Sequence, residues 1–397
     1  MFRDLHLKSP LPPLALALSC ILLGPSCVPS HRSDDKLHAD PFGAAEVLTR
    51  AIADGAFPGC SVAVGTDEGP LWLAAYGHLD YGKSEPTTVG TLYDLASLTK
   101  VCSTTLVALR LADQGRIALG DPVARYVPEF TGGGRDQVTL EHLLTHSSGL
   151  PAWRPLYKTA ASYGEVVELA AATALEGEPG ERMRYSDIGV ILLGEALSRA
   201  AGKPPTVLEQ ELIFGPLRMH GTSRQLPESR RAAAAPTERQ PSGECLQGVV
   251  HDENARAGEG LTGHAGLFST ARDLAILAEE LIKGWHGRSN VLPGPLLRTF
   301  TTRREIPVGS SRALGWDTPS GRSSSGQYFG VHSFGHTGFT GTSIWIDPDR
   351  PLYVLLLTNR VHPTRDNRKI MQVRRELADR VVEGLAGQPA DGPVTAR

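Results

Sequence analysis

Two strand pairs, one near each end of the chain, set the strongest limit on what this sequence can fold into. Cys60 to Val64 and Pro70 to Tyr76 are strand-like and are separated by the turn-rich T-D-E-G. Thr340 to Ile346 and Leu352 to Thr358 repeat the pattern across D-P-D-R-P, whose Asp and Pro residues favour a turn. The long stretch between them carries helix signals. One helix follows Thr139 into E-H-L-L, and another starts near Ser186 and ends before Gly202 and Pro204. A third starts at T-A-R-D, where Thr270 and Asp273 fit a capping box, and ends at Gly284. Helix-like stretches also open the body, Pro41 to Ala56, and close it, about Asp366 to Leu385. The expectation is one sheet whose strands come from opposite ends of the chain, with a large, mainly helical lobe inserted. At 397 residues, two domains or one domain with such an insertion are both accommodated.

Ahead of this body, Arg3 and Lys8 precede a short apolar run, Leu11 to Leu23, the layout of a secretory signal. A run of about a dozen residues is too short for a membrane span, which needs roughly 20. Cys20 and Cys27 each follow a serine, as a lipidated cysteine follows a small residue, although Ala17 and Gly24 stand where a larger apolar residue is usual. A cleaved signal over residues 1–27, a linker over 28–40 and a body over 41–390 are expected. The sheet lobe is drawn from about 41–95 and 328–390, and the helical lobe from about 96–327. The protein is expected outside the cytoplasm, either periplasmic or as a membrane-anchored lipoprotein. Cys60, Cys102 and Cys245 remain in the body, too widely spaced for a disulfide framework or a metal site, and read as small buried hydrophobes. A formal charge of −3 lacks the basic excess of a nucleic-acid binder.

Within the body, D-L-A-S-L-T-K places Ser97 three residues before Lys100, on one face of a helix. Serine is a poor nucleophile near neutral pH unless a proton acceptor or relay stands beside it. The S-x-x-K pattern occurs twice, and context separates the copies. Ser33 and Lys36 lie in the polar linker, whereas Ser97 opens V-C-S-T-T-L-V-A-L-R-L-A, apolar nearly all round and therefore a buried helix. A lysine at the entrance to such a helix needs a partner or a function. Taken alone, the tetrad fits equally a helix cap with a lysine beside it. Acyl transfer needs two further elements: a second proton-handling group and donors for the oxyanion. Tyr185 and Ser186, in M-R-Y-S-D just before a helix, offer a phenol whose ionised form a nearby cation would favour, although Ser186 is also a natural cap. Two H-x-G triads compete for the third element, His264-Ala265-Gly266 and His336-Thr337-Gly338. The second runs into strand-like sequence, and an edge strand bearing Gly lets a substrate approach the backbone, so His336 is preferred.

In this order, S-L-T-K, Y-S-D and H-T-G resemble the serine β-lactamase and penicillin-binding-protein superfamily, nearest its class C-like branch of esterases, D-amino-acid peptidases and cell-wall amidases. L-L-T-H-S-S-G-L-P and P-G-E-R-M-R-Y-S agree with it, and the similarity spans about Ala44 to Leu385. The resemblance implies an α+β fold: an antiparallel sheet flanked by N- and C-terminal helices, with a helical lobe. It implies Ser97 as the acyl-forming nucleophile, Lys100 as its proton partner, Tyr185 as general base, and the N–H groups of Ser97 and Phe339 as the oxyanion hole. Ser186, Asp187, His336, Thr337 and Gly338 would then face the substrate. No metal or cofactor is implied. Two departures stand out: His336 replaces the lysine with which β-lactamases hold a substrate carboxylate, and Asp187 replaces an asparagine. A histidine that titrates near 6.5 and an added anion both predict a site biased against anionic substrates, unless Asp187 pairs with Lys100 or an arginine. A further stretch, Val250 to Thr270, is similar to amidases that cut the lactyl-peptide bond of N-acetylmuramyl-peptides, so His251, Asp252, Asn254 and His264 are expected either to line that cleft or to pin a polar loop. The expected function is hydrolysis of an amide or ester, with peptidoglycan-derived peptides or β-lactam-like compounds as substrates. A broad esterase and a non-turnover β-lactam or muropeptide sensor are the alternatives.

Overall fold

A computed structural model describes residues 39–386, apart from 84 and 322. The signal and lipidation sites read at residues 1–27, the Ser33/Lys36 copy and most of the linker lie outside the described residues. Asp40, read as the last linker residue, belongs to the fold: its carboxylate accepts the N–H groups of Phe42 and Ala45 and so starts helix α1, Ala45–Ala53.

Five strands form the main sheet: β1 (Gly59–Thr66), β2 (Gly69–Gly77), β5 (Phe334–Thr337), β6 (Ser343–Asp347) and β7 (Leu352–Thr358). The order is β2-β1-β7-β6-β5 and every pairing is antiparallel. Thus β1 lies between its hairpin partner and β7, Val62 opposite Leu356, which joins the two ends of the chain. Strands β1, β6 and β7 are buried on both faces, and the alternation of side chains sorts them between two cores. Val62, Val64, Val354 and Leu356 face α1 and the C-terminal helix Ile370–Ala386, whose Val373, Leu377 and Val381 complete that layer. Ala63, Tyr353, Leu355 and Leu357 face the other way, against the helix Ala271–Trp285 and the helical lobe. Each fully buried aliphatic side chain contributes about 1.5–3 kcal/mol.

The lobe between the ends holds α2 (Thr105–Asp113), α3 (Leu140–Leu144), α4 (Tyr163–Ala172) and α5 (Asp187–Ala201), together with shorter helices. The two-residue strands β3 (Tyr93–Asp94) and β4 (Phe268–Ser269) pair there, too short to show a period in the sequence. Thr139 caps α3 in a box completed by His142, Ser186 caps α5 by accepting the Gly189 N–H, and Gly202 ends α5 at φ +66°, where a side chain would be strained. Thr270 caps its helix as expected, but Asp273 does not close a box; its carboxylate accepts from Thr222. Cys60 and Cys102 are buried and burial raises their thiols, that of Cys102 to about 12, while Cys245 is only half-buried. Among the described residues no helix is long and apolar enough to cross a membrane, and no group of three or more His, Cys, Asp or Glu could hold a metal.

Candidate active site

Ser97 sits between β3 and a buried helix, on a turn whose preceding residue, Ala96, is held at φ +45°. Two contacts fix that turn: the Ala96 N–H bonds to the Asp94 carboxylate at 2.8 Å and the Leu95 N–H bonds to the Leu267 carbonyl at 2.9 Å. The helix opens with a widened π turn, Lys100–Thr104, in which the Thr105 N–H reaches back to the Lys100 carbonyl. Local widening of this kind recurs at functional sites. Val101 to Leu109 are buried without exception, as the all-round apolar sequence predicts.

Lys100 is 1% exposed, and its ammonium donates to Ser97 Oγ at 2.9 Å and to the His264 carbonyl at 2.9 Å. It also pairs with Asp187 Oδ1 at 2.8 Å and lies 5.0 Å from the centre of the Tyr185 ring. Burial works against its charge, but Asp187 and Tyr185 outweigh burial and hold the Lys100 pKa above the usual lysine value. Lys100 is therefore a resting cation, and Asp187 is a paired anion that adds no net charge toward a substrate.

Ser97, Tyr185, His336, Thr337, Gly338 and Phe339 line one cleft of about 590 Å³. His336 and Thr337 end edge strand β5 and Gly338 follows it, where a glycine is required by space: a Cβ on Gly338 would overlap Thr342 Oγ1 and the Leu95 carbonyl. Thr340 and Thr342 donate their hydroxyls to the Asp94 and Leu95 carbonyls, at 2.6 and 3.0 Å, which straps this loop to the serine turn. The Phe339 carbonyl accepts from Arg360 Nε at 2.8 Å, and the guanidinium lies 4.3 Å from the Phe339 ring centre. Among the described residues, neither the Ser97 nor the Phe339 N–H has a partner, so both are free for an oxyanion.

His336 departs from the sequence expectation. Its Nδ1 donates to the Thr337 carbonyl at 2.8 Å, leaving Nε2 buried and unpartnered. Burial, then Arg312 and Lys100, push its pKa well below the ordinary histidine value, so it stays neutral instead of titrating near 6.5. Arginines also reach the cleft from outside the triad. Arg312, Arg360, Arg365, Arg368 and Arg374 line the cleft against Asp317 and Asp366, a cationic surface built from elements outside the triad.

Other residues singled out in the sequence are committed elsewhere. Ser186 is buried, its hydroxyl donating to the Pro151 carbonyl at 2.7 Å while it caps α5, so it does not face the cleft. His251, Asp252, Asn254 and His264 are not among the lining residues. Asn254 pins a loop, accepting from the Tyr157 N–H at 3.0 Å and donating to the Arg154 carbonyl at 2.8 Å. His251 donates its N–H to Asp94 at 2.7 Å and stacks on Phe339. Asp252 caps the helix Glu253–Ala257 and holds His264 Nε2 at 2.9 Å. Although burial opposes its charge, His264 keeps the Asp252 carboxyl below its usual pKa range. The second triad thus serves Lys100 through the His264 backbone.

Two neighbours of Tyr185 had no assigned role. His146, within the L-L-T-H-S-S-G-L-P marker, packs its ring 4.4 Å from that of Tyr185 and accepts the Ser186 N–H at 3.1 Å, and Arg312 lies 5.2 Å from the Tyr185 ring centre. The buried pair Arg224–Glu209 staples the loop that carries His264: Arg224 donates to the carbonyls of Gly260, Thr262 and Ala265.

The Beta-lactamase family profile matches residues 44–379. The chain is 33% identical over 357 residues to an N-acetylmuramyl-L-alanine amidase of Bacillus subtilis (strain 168), covering 80% of each. It is 31% identical over 319 residues to a protein of Escherichia coli (strain K12) provisionally named a D-alanyl-D-alanine carboxypeptidase, covering 71% of this chain and 72% of that one. A penicillin-binding-protein homologue from Caulobacter crescentus shares the fold at a TM-score of 0.71 and 24% identity, covering 88% of this chain and 98% of that one. The buried serine–lysine pair, the strapped edge strand and a match running through nearly all the described residues agree: the protein belongs to the β-lactamase family of serine hydrolases.

Proposed function

We propose that this chain is an exported amidase that opens peptidoglycan-derived peptides through an acyl-enzyme on Ser97. The observation that carries the reading is the 2.9 Å contact between Ser97 Oγ and a buried, charge-balanced Lys100, in the cleft shared with Tyr185 and Phe339. Ser97 Oγ attacks the substrate carbonyl carbon and its proton passes to Tyr185 Oη. The N–H groups of Ser97 and Phe339 hold the oxyanion. Collapse of the tetrahedral intermediate breaks the C–N bond, and Tyr185 returns the proton to the departing amine. Water then enters by the same route and releases the acid. Lys100, already protonated, cannot accept the serine proton; its charge steadies the phenolate and the attacking oxygen. The name of the Bacillus subtilis relative supports a muramyl-peptide amide as substrate. A neutral His336 in place of a lysine makes β-lactams poor substrates. The basic and apolar N-terminal segment supports export, with Cys20 or Cys27 as the point of lipid anchoring.

Intact-protein mass spectrometry after exposure to a muropeptide, an ester and a β-lactam tests the reading. The muropeptide should leave a transient acyl adduct on the wild-type protein, absent in Ser97→Ala, together with sustained product release. One equivalent of product followed by silence would make the protein a sensor, and no adduct with any of the three would refute the mechanism.

A further inference from the structure

The two N–H groups that face the oxyanion are backed differently. The Ser97 N–H stands at the opening of the buried helical stretch that runs through Lys100–Thr104 into α2, where the helix dipole favours negative charge. The Phe339 N–H follows strand β5, and a strand supplies little net dipole. Something other than a helix has to ready that half.

This N–H belongs to the peptide that joins Gly338 to Phe339. A trans peptide is planar, so its carbonyl points opposite to its N–H, toward the back of the cleft wall. There the Gly338 carbonyl accepts Arg374 Nη2 at 2.8 Å, beside the Gly341 N–H at 3.2 Å. The same Nη2 donates to the Thr342 carbonyl at 2.7 Å, which also takes the Gly338 N–H at 2.7 Å. One guanidinium nitrogen thus pins both ends of the turn. Arg374 reaches it from the C-terminal helix, whose Val373 and Leu377 face the sheet. Burial and the neighbouring Arg360 both oppose its charge and lower its pKa to about 9, so at neutral pH the fold keeps a cation here against both. A charged donor on a carbonyl makes a strong bond, and it polarises the peptide so that the N–H at the other end becomes a better donor.

We propose that Arg374 is a positioning residue of the oxyanion hole: holding the Gly338–Phe339 peptide from behind, it aims the Phe339 N–H and strengthens its bond to the oxyanion. The inference rests on the acyl-enzyme reading, which makes that N–H an oxyanion donor. A closed turn alone would need no charge. Polarisation does, and its effect belongs to the transition state and the acyl-enzyme more than to substrate binding.

The test compares the wild type with Arg374→Gln and Arg374→Lys on an activated ester whose isotope-labelled carbonyl stays on Ser97 long enough for infrared spectroscopy. Loss of an oxyanion donor costs about 10²- to 10³-fold in kcat, so weakening one should cost about 10-fold, with KM little changed. In Arg374→Gln the carbonyl band of the acyl-enzyme should move to higher wavenumber, as a less polarised bond requires. Arg374→Lys keeps the charge but not the fork, and should show a smaller shift and a smaller loss of kcat. The band reports the hole itself and not general stability, so either variant decides the matter if the other does not fold. A band at the wild-type position, or a raised KM with kcat kept, would overturn the proposal. A wild-type chain that forms no Ser97-dependent adduct would strike the acyl-enzyme reading and this proposal together, whereas a normal adduct with an unmoved band would strike this proposal alone.

Discussion

Replacing Asp187 by Asn removes the carboxylate that balances Lys100 while keeping the shape of the side chain. Breaking a buried ion pair from one side costs about 3–5 kcal/mol. Here Asp187 is 20% exposed and Lys100 keeps its bonds to Ser97 and the His264 carbonyl, so a loss of about 2–3 kcal/mol at pH 7 is expected. For a body of this size, with an unfolding entropy of roughly 0.7 kcal/mol/K, that is a fall in Tm of about 3–4 °C. The pH dependence identifies the cause. In the wild type the Lys100 pKa is raised, so its stabilising share is complete below the ordinary lysine value of 10.5 and is flat between pH 6 and 9. In Asp187→Asn burial becomes the dominant influence and lowers that pKa. The folded chain then holds its proton less well than the unfolded one, and the deficit should be largest at pH 6 and shrink as pH rises toward 9.5. Denaturant melts across that range, with Lys100→Met/Asp187→Asn as the neutral control, provide the assay. The double variant should recover most of the loss. A single variant with wild-type stability and no pH slope would refute the charge balance described here.

Ser97→Ala should abolish labelling by a fluorophosphonate, and Ser33→Ala should leave it intact; full labelling of Ser97→Ala would remove Ser97 as the nucleophile. Lys100→Ala and Tyr185→Phe should each lower kcat by at least about 10²-fold, and the double variant should lose little more because the two act as one relay; multiplicative losses would separate them. His146 and His336 both have pKa values well below the ordinary one, so their ring resonances should not titrate between pH 6 and 8 in NMR spectra. For the same reason stability should decline as pH falls below about 6.5, where the unfolded chain takes up protons that the folded one refuses, and His336→Gln should reduce that slope. Arg224→Met, which leaves the buried Glu209 with no cation and only the Ser103 hydroxyl as a partner, should cost about 3–5 kcal/mol in a denaturant melt; a near-neutral result would mean the pair does not hold the 260–265 loop.

The apolar runs of β1, β2 and β7 and the cap and glycine of α5 were legible because each is local and periodic. The strand read as Thr340 to Ile346 begins only at Ser343, for a physical reason. Thr340 and Thr342 look like strand residues, but their hydroxyls strap the turn to Asp94 and Leu95. Strand β5 is short and its Gly335 and His336 carry no alternation. Helix α1 starts later than Pro41 because Asp40 takes the first N–H groups and Gly43 sits at φ +64°. In the site, residues within motifs could be read directly. Arg312 could not, since a lone arginine in S-S-R-A-L-G-W has no spacing relation to the tyrosine it covers. The low pKa of His336 likewise depends on burial and on three cations from other segments, Arg312, Lys100 and Arg374.

The seam between β1 and β7 has a consequence for how the protein comes into being. Strand β1 is among the first parts of the body to be synthesised, yet one of its edges stays unpaired until residues 352–358 arrive, and the face it shares with α1 is completed only by the final helix. An isolated two-stranded hairpin is marginal in water, so β1 and β2 cannot settle on their own. Closure waits for contacts that span nearly the whole body, the kind that form slowly. That order keeps the sheet from locking while the last segment is still being made.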